Sequence, residues 1–356
     1  STHANGIIDQ GAMTVGGTAS FQTTVTDADI VLDVGHAIAG TVTLNTTGST
    51  GHATLDNGTL DLVLGNGTSV SGTTLATSVG GDLTLTSGAA TGITDYGDDT
   101  VTVGGELIAI TDANSGVINL GTTTVGGTIT LVTDGTGDAT LDNGTTDIVI
   151  GTSTTLSTAT NVGGDLTLIS GAAAGITDSA TVTVGGNLTA TTDANNGVID
   201  LGTLAVTGNF TLTTHGTGSA TIDNGTADID ILLASIGGAL TLTSGAATGI
   251  FDSGTVTVGG NLSATTDANN GVITLDNLAV DTDGGSTIAF APHGSGNVTI
   301  VNANGINFAE STVTGVLTTS DTNALTVGET IVYKTNGAAL GQKGTVVATF
   351  TAGDGT

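Results

Sequence analysis

Five histidines and 32 aspartates and glutamates are the groups in this sequence that could hold a metal ion or move a proton. His215 and His293 precede Gly-Thr-Gly and Gly-Ser-Gly in matching places of a long repeat, where Asp134 stands in an earlier copy. If such copies lie four layers apart in a β stack, the two imidazoles are separated by about 19 Å, too far to share a metal with bonds near 2 Å. They read as solvated loop histidines. His3, His36 and His52 have no partner at a metal-ligand spacing.

The carboxylates divide into two patterns. Asp27, Asp112, Asp193 and Asp267 sit in Thr-Asp-Ala-Asn/Asp segments, where a short acceptor side chain bonds nearby backbone N–H groups and forms a turn. The alternative is calcium held between adjacent loops by carboxylate, amide and carbonyl oxygens. Asp82 and Glu106 each follow a Gly pair and should be neighbours in one column, where two charges about 4.8 Å apart repel by roughly 1 kcal/mol in water. The calcium candidates are therefore Asp82, Glu106, Asp112, Asp193 and Asp267. Asp134-Gly-Thr-Gly-Asp-Ala-Thr-Leu-Asp142 departs from the calcium nonapeptide of toxin repeats at Thr140.

Other chemistry lacks its residues. There is no Gly-x-Ser-x-Gly elbow, and the Gly pairs lead into strands with no helix N-terminus or Lys to hold a phosphate. No catalytic group is expected, and no cofactor beyond calcium. Asn57, Asn143 and Asn224 begin Asn-Gly-Thr sequons, three of nine Asn-x-Ser/Thr sites, and are candidate glycosylation acceptors.

These residues are spaced by a repeat. Gly (59) and Thr (77) fill 136 of 356 positions, against one Pro and no Cys. Without Cys there is no disulfide framework. Hydrophobic residues at 37% argue for a folded chain despite a net charge of −30. Two lysines and no arginine exclude nucleic acid as a partner, and no apolar run approaches the ~20 residues of a spanning helix. Ala53-Thr-Leu-Asp-Asn-Gly-Thr59 returns at Ala139 and, with Ile for Leu, at Ala220, and a degenerate copy starts at Val298, spacings of 86, 81 and 78.

A shorter unit lies within the long one. Gly pairs after Val or Ile (Gly80-Gly81, Gly104-Gly105, Gly163-Gly164, Gly185-Gly186 and Gly259-Gly260 among them) recur mostly 22 to 24 residues apart. Intervals of 37 and 30 suggest an added turn, making the long unit about four short ones. Thr181-Val-Thr-Val184 and Asn187-Leu-Thr-Ala-Thr191 alternate with a period of 2, and Gly, Asn and Asp at the corners tolerate positive φ. Three short strands per unit describe one coil of a parallel β-helix (β-solenoid) with coils of about 20–24 residues, aliphatic side chains inside and Thr outside. Roughly 16 coils over residues 1–325 would stack to a rod of about 75–80 Å. Residues 326–356 leave the repeat and carry Lys334 and Lys343; this stretch is expected to be a cap or a junction to a following subunit.

Gly11-Ala-Met-Thr-Val-Gly-Gly-Thr-Ala-Ser-Phe21, Thr183-Val-Gly-Gly-Asn-Leu-Thr-Ala190 and Asp321-Thr-Asn-Ala-Leu-Thr-Val-Gly328 resemble the repeat region of filamentous-haemagglutinin-like exoproteins, large surface adhesins of the two-partner secretion route. The resemblance covers residues 1 to about 330. It implies a right-handed parallel β-helix, an extracellular or cell-surface location and a structural or adhesive role. The expected function is a fibre or adhesin stalk that polymerises head to tail through open β-edges and meets a cell-surface or matrix partner. Ice binding through Thr-x-Thr ladders is the alternative, and a polysaccharide-active β-helix enzyme a more distant one.

Overall fold

The computed structural model describes residues 5–68, 72, 74–97 and 99–321, so His3, Lys334, Lys343 and the expected cap at 326–356 lie outside the described residues. The chain divides into two compact units, residues 1–195 and 196–356. Each is a β-solenoid of stacked parallel strands, and no helix occurs among the described residues.

One coil of the first unit shows how the alternation works. Its strands are Val101–Val103, Leu107–Thr111 and Ile118–Leu120. Val101, Val103, Leu107, Ala109, Ile118 and Leu120 point inward and are almost wholly buried, each Val, Leu or Ile contributing about 1.5–3 kcal/mol. Outward positions such as Thr102 and Asn119 pair with their counterparts in neighbouring coils. Registers are direct: Leu107 bonds across to Leu83 on one side and Ile129 on the other.

Hydroxyls are not confined to the surface. Thr111, Thr133 and Thr46 are buried at strand ends. Their Oγ1 atoms donate to the carbonyls of Gly116 (2.8 Å), Gly137 (2.7 Å) and Gly51 (2.9 Å). Ser87 and Ser170, fully buried, donate to Leu60 O (2.8 Å) and Thr146 O (2.9 Å) of the preceding coil. A Thr or Ser at such a corner satisfies a carbonyl that the turning chain would otherwise bury unpaired.

The Gly pairs serve a purpose other than positive φ. Gly80, Gly81, Gly104, Gly105, Gly163, Gly164, Gly185, Gly186, Gly259 and Gly260 all lie outside the left-handed region; what they lack is room. A Cβ on Gly104 would stand 2.2 Å from Gly80 O, and one on Gly105 2.2 Å from Asp82 Oδ1. Left-handed backbone occurs instead in the Asp-Ala-Asn-x turns, as at Asn114 (φ 57°) and Ser115 (φ 51°).

The long repeat is three coils plus one strand, not four coils. Ala53 pairs with Leu83, Leu83 with Leu107 and Leu107 with Ile129. Ala139, the counterpart of Ala53, stands on a different row, between Ile118 and Leu166. The second unit does the same: Ala220 leads through Leu240 and Leu262 to Ile288, whereas Val298 continues the row of Ile229, Ile250 and Ile273. Successive copies are thus turned onto the next face. The stacked turns number about 14, below the sixteen expected, because residues 151–160 leave the coil as a loop in the 37-residue interval and the hairpin of Gly67–Thr68 and Thr74–Leu75 leaves it earlier in the first unit.

Candidate functional site

Asp82, Glu106, Asp165 and Asn187, each after a Gly pair, stand in the columns that their spacing predicts and bond to a side chain of the preceding coil, as do His52 and Thr287 at matching corners. In the first unit His52 N donates to Asp29 Oδ1 (2.8 Å), Asp82 N to His52 Nδ1 (2.9 Å) and Glu106 N to Asp82 Oδ1 (2.8 Å). Asp165 N likewise donates to Asp138 Oδ1 (2.8 Å), and Asn187 N to Asp165 Oδ1 (2.7 Å). In the second unit Thr287 N donates to Asn261 Oδ1 (2.9 Å). A corner that cannot bond as a strand is stitched by an acceptor side chain.

The structure brings Asp82 and Glu106 together, but protein donors meet their charge. Glu106 accepts from Ser153 Oγ (3.0 Å), Thr154 N (3.1 Å), Thr154 Oγ1 and Thr155 N (3.4 Å). Thr155 Oγ1 reaches Asp82 Oδ2 (3.3 Å). Partial burial pushes the Glu106 carboxyl up, yet the Thr154 hydroxyl and N–H, with Ser153 and Thr155, outweigh it and hold the group below the usual glutamate range.

Asp112, Asp193 and Asp267 are exposed, each on its own corner. In their turns the bond to the preceding coil comes from the Asn two residues on: Asn114, Asn195 and Asn269 Nδ2 donate to the carbonyls of Gly88, Gly171 and Gly245, all at 2.7 Å. Among the described residues no three His, Cys, Asp or Glu side chains converge as a metal site.

The candidate glycosylation acceptors Asn57, Asn143 and Asn224 have fully buried side chains. Asn143 Oδ1 accepts Val125 N (2.8 Å), while Nδ2 donates to Val125 O (3.1 Å) and Asp147 O (2.7 Å). Asn57 makes the same bonds to Ile38 and Asp61, and Asn224 to Val206 and Asp228. The amide substitutes for a strand residue where the backbone turns away. Asp142 Oδ1 accepts Gly144 N (2.8 Å), and Gly144 is left-handed (φ 54°), which completes the Asp-Asn-Gly turn.

The Nδ1 atoms of His215, His293 and His52 accept Asn196 N (3.3 Å), Asn270 N (3.3 Å) and Asp82 N (2.9 Å), and all three rings are exposed. His36 is not. It is buried, with Nδ1 accepting Met13 N (2.9 Å) and Nε2 at 2.9 Å from Asp9 Oδ2. Twenty-seven residues separate this pair, and no local motif announces it.

In the second unit Asp252 is buried, and its oxygens accept Asp276 N (2.9 Å) and Asn277 N (2.9 Å). Burial pushes its carboxyl above the usual aspartate range against those two bonds, with Asp276 adding repulsion. Asp276 and Asn277 line an open cleft of about 270 Å³ with Thr255, Leu278, Ala279, Val301 and Ala303. Asp276 is its single acidic lining residue. The Thr ladders of an ice-binding plane are interrupted in the first unit, where one outward row reads Thr84, Ile108, Thr130 and the next Thr86, Ile110, Val132.

No helix of the described residues is long and apolar enough to cross a membrane. No protein-family model matches the sequence, and no curated protein and no solved structure is significantly similar to it. The fold class is thus defined by the coils themselves: a β-solenoid repeat protein whose corner side chains bind one layer to the next.

Proposed function

We propose that this chain is a structural segment of an extracellular fibre or adhesin stalk, and that it associates end to end. The observation that carries this reading is the corner stitching. Polar groups at the corners, from Asp29 through Glu106 and from Asp138 through Asn187, are committed to layer-to-layer bonds that repeat coil after coil. A scaffold of this kind lengthens by adding coils without altering those present. The resemblance to haemagglutinin-like exoprotein repeats implies the same role and a cell-surface location, with a surface or matrix component as partner.

Negative-stain electron microscopy of the purified chain, with calcium and with chelator, tests the proposal. Rods that join into filaments support it, and loss of filaments in chelator would place calcium at the junctions. Particles that stay single at high concentration in both conditions overturn end-to-end association. Antibody labelling of intact source cells tests the location, and signal only after permeabilisation would overturn it.

A further inference from the structure

In a solenoid each coil touches only the coils before and after it, so stability is shared between nearest neighbours. Residues 151–160 depart from that rule. The strand Ile148–Ile150 lies two layers beyond Leu107–Thr111, since Leu107 pairs with Ile129 and Ile129 with Ile150, and Leu83 is one layer further back. After Ile150 the chain doubles back on itself, closed by an antiparallel bridge between Thr152 and Ala159 and by Ser153 N donating to Thr158 O (2.8 Å). Its tip skips the intervening layer to reach Glu106, and Thr155 extends to Asp82.

The base of this loop is also fixed. Thr160 Oγ1 donates to Gly151 O (2.8 Å), Thr130 Oγ1 donates to the same carbonyl (3.2 Å), and Leu131 N donates to Thr160 Oγ1 (3.3 Å). Ile108 and Thr130 are fully buried even though they alternate with the inward-facing Leu107, Ala109, Ile129 and Leu131. Both lie on the outer face of their strands, and Thr130 is bonded to Gly151 at the base of this segment.

Among the described residues the base of this loop has one counterpart, and at another matching place it is absent. Earlier in the first unit Thr43 Oγ1 donates to Gly65 O (2.7 Å) and Leu44 N to Thr77 Oγ1 (3.3 Å), the same base around the hairpin of Gly67–Thr68 and Thr74–Leu75. In the second unit the matching stretch runs straight through as the strand Ile229–Ile236, with Leu232 and Leu233 exposed at 48% and 43%.

We infer that residues 151–160 are a clasp, closed on the Glu106 carboxylate, that makes the layers of Leu83–Ser87, Leu107–Thr111, Thr128–Val132 and Ile148–Ile150 open as one unit. Hydrogen exchange of the full chain, read by mass spectrometry, tests it. In the wild type these four strands should share one protection factor. In Glu106→Ala the amides of 153–158 should exchange at least tenfold faster and the four strands should separate in rate. Thr154→Val, which keeps the carboxylate and removes one donor, should move both readouts in the same direction by less. Strands Leu240–Ser244 and Leu262–Thr266 of the second unit report whether a variant has lost its fold, in which case Thr154→Val decides. Four wild-type strands exchanging at unrelated rates, or a Glu106→Ala chain with 153–158 as protected as before, would overturn the clasp.

Discussion

Nε2 of His36 lies 2.9 Å from Oδ2 of Asp9, with both side chains almost fully buried. Because Nδ1 accepts Met13 N, the ring proton must sit on Nε2 and point at the carboxylate. His36→Ala would leave the Met13 N–H and the Asp9 carboxylate unpaired, at about 1–3 kcal/mol for each neutral group and more for the charge. Denaturant unfolding should show the loss, and ¹⁵N NMR of the wild-type imidazole should show the Nε2–H tautomer.

Glu106 makes part of the stability depend on acid. Its folded pKa is lowered from the ordinary 4.5, so the contribution is full above that value and disappears as pH falls through the folded pKa. The protection of 153–158 should therefore hold from neutral pH to about 4.5 and collapse below it. Glu106→Gln should flatten this dependence. A wild-type profile superimposable on that of the variant would contradict the role of the carboxylate.

Asn143 should tolerate neither Ala nor Asp. Asn143→Ala orphans Val125 N, Val125 O and Asp147 O, at about 1–3 kcal/mol for each group left buried. Asn143→Asp is worse, since a carboxylate oxygen would face two carbonyls. Both should shift the urea midpoint downward. Peptides containing Asn57, Asn143 and Asn224 should carry no glycan by mass spectrometry.

Two glycines distinguish space from conformation. Gly104→Ala drives a Cβ to 2.2 Å from Gly80 O, whereas Gly16→Ala meets nothing within 4 Å. The first should cost about 1–3 kcal/mol or more, and the second should leave the melting temperature nearly unchanged.

The strands were legible because burial in a coil follows a period of 2. Thr102 between Val101 and Val103 has one reading. The corner column was legible too, since a residue placed after a Gly pair falls in the same place on every coil, as Asp82 and Glu106 do. Asn143 was not, because alternation carries no information through a turn, and Asn-Gly-Thr looks the same whether its amide faces water or the core. Glu106 and Thr154 stand 48 residues apart, and only the packed layers bring them together. The role of the Gly pairs was not legible, since flexibility and lack of room select the same residue.

Because each long repeat advances by three coils and one strand, a given motif changes sheet from one copy to the next. Ala53 and Ala139 belong to different rows, so no side of the first unit shows the same copy twice in succession. A flat partner such as a crystal plane would therefore meet a changing sequence of side chains. One that reads the repeat has to reach both sheets of the unit to meet successive copies.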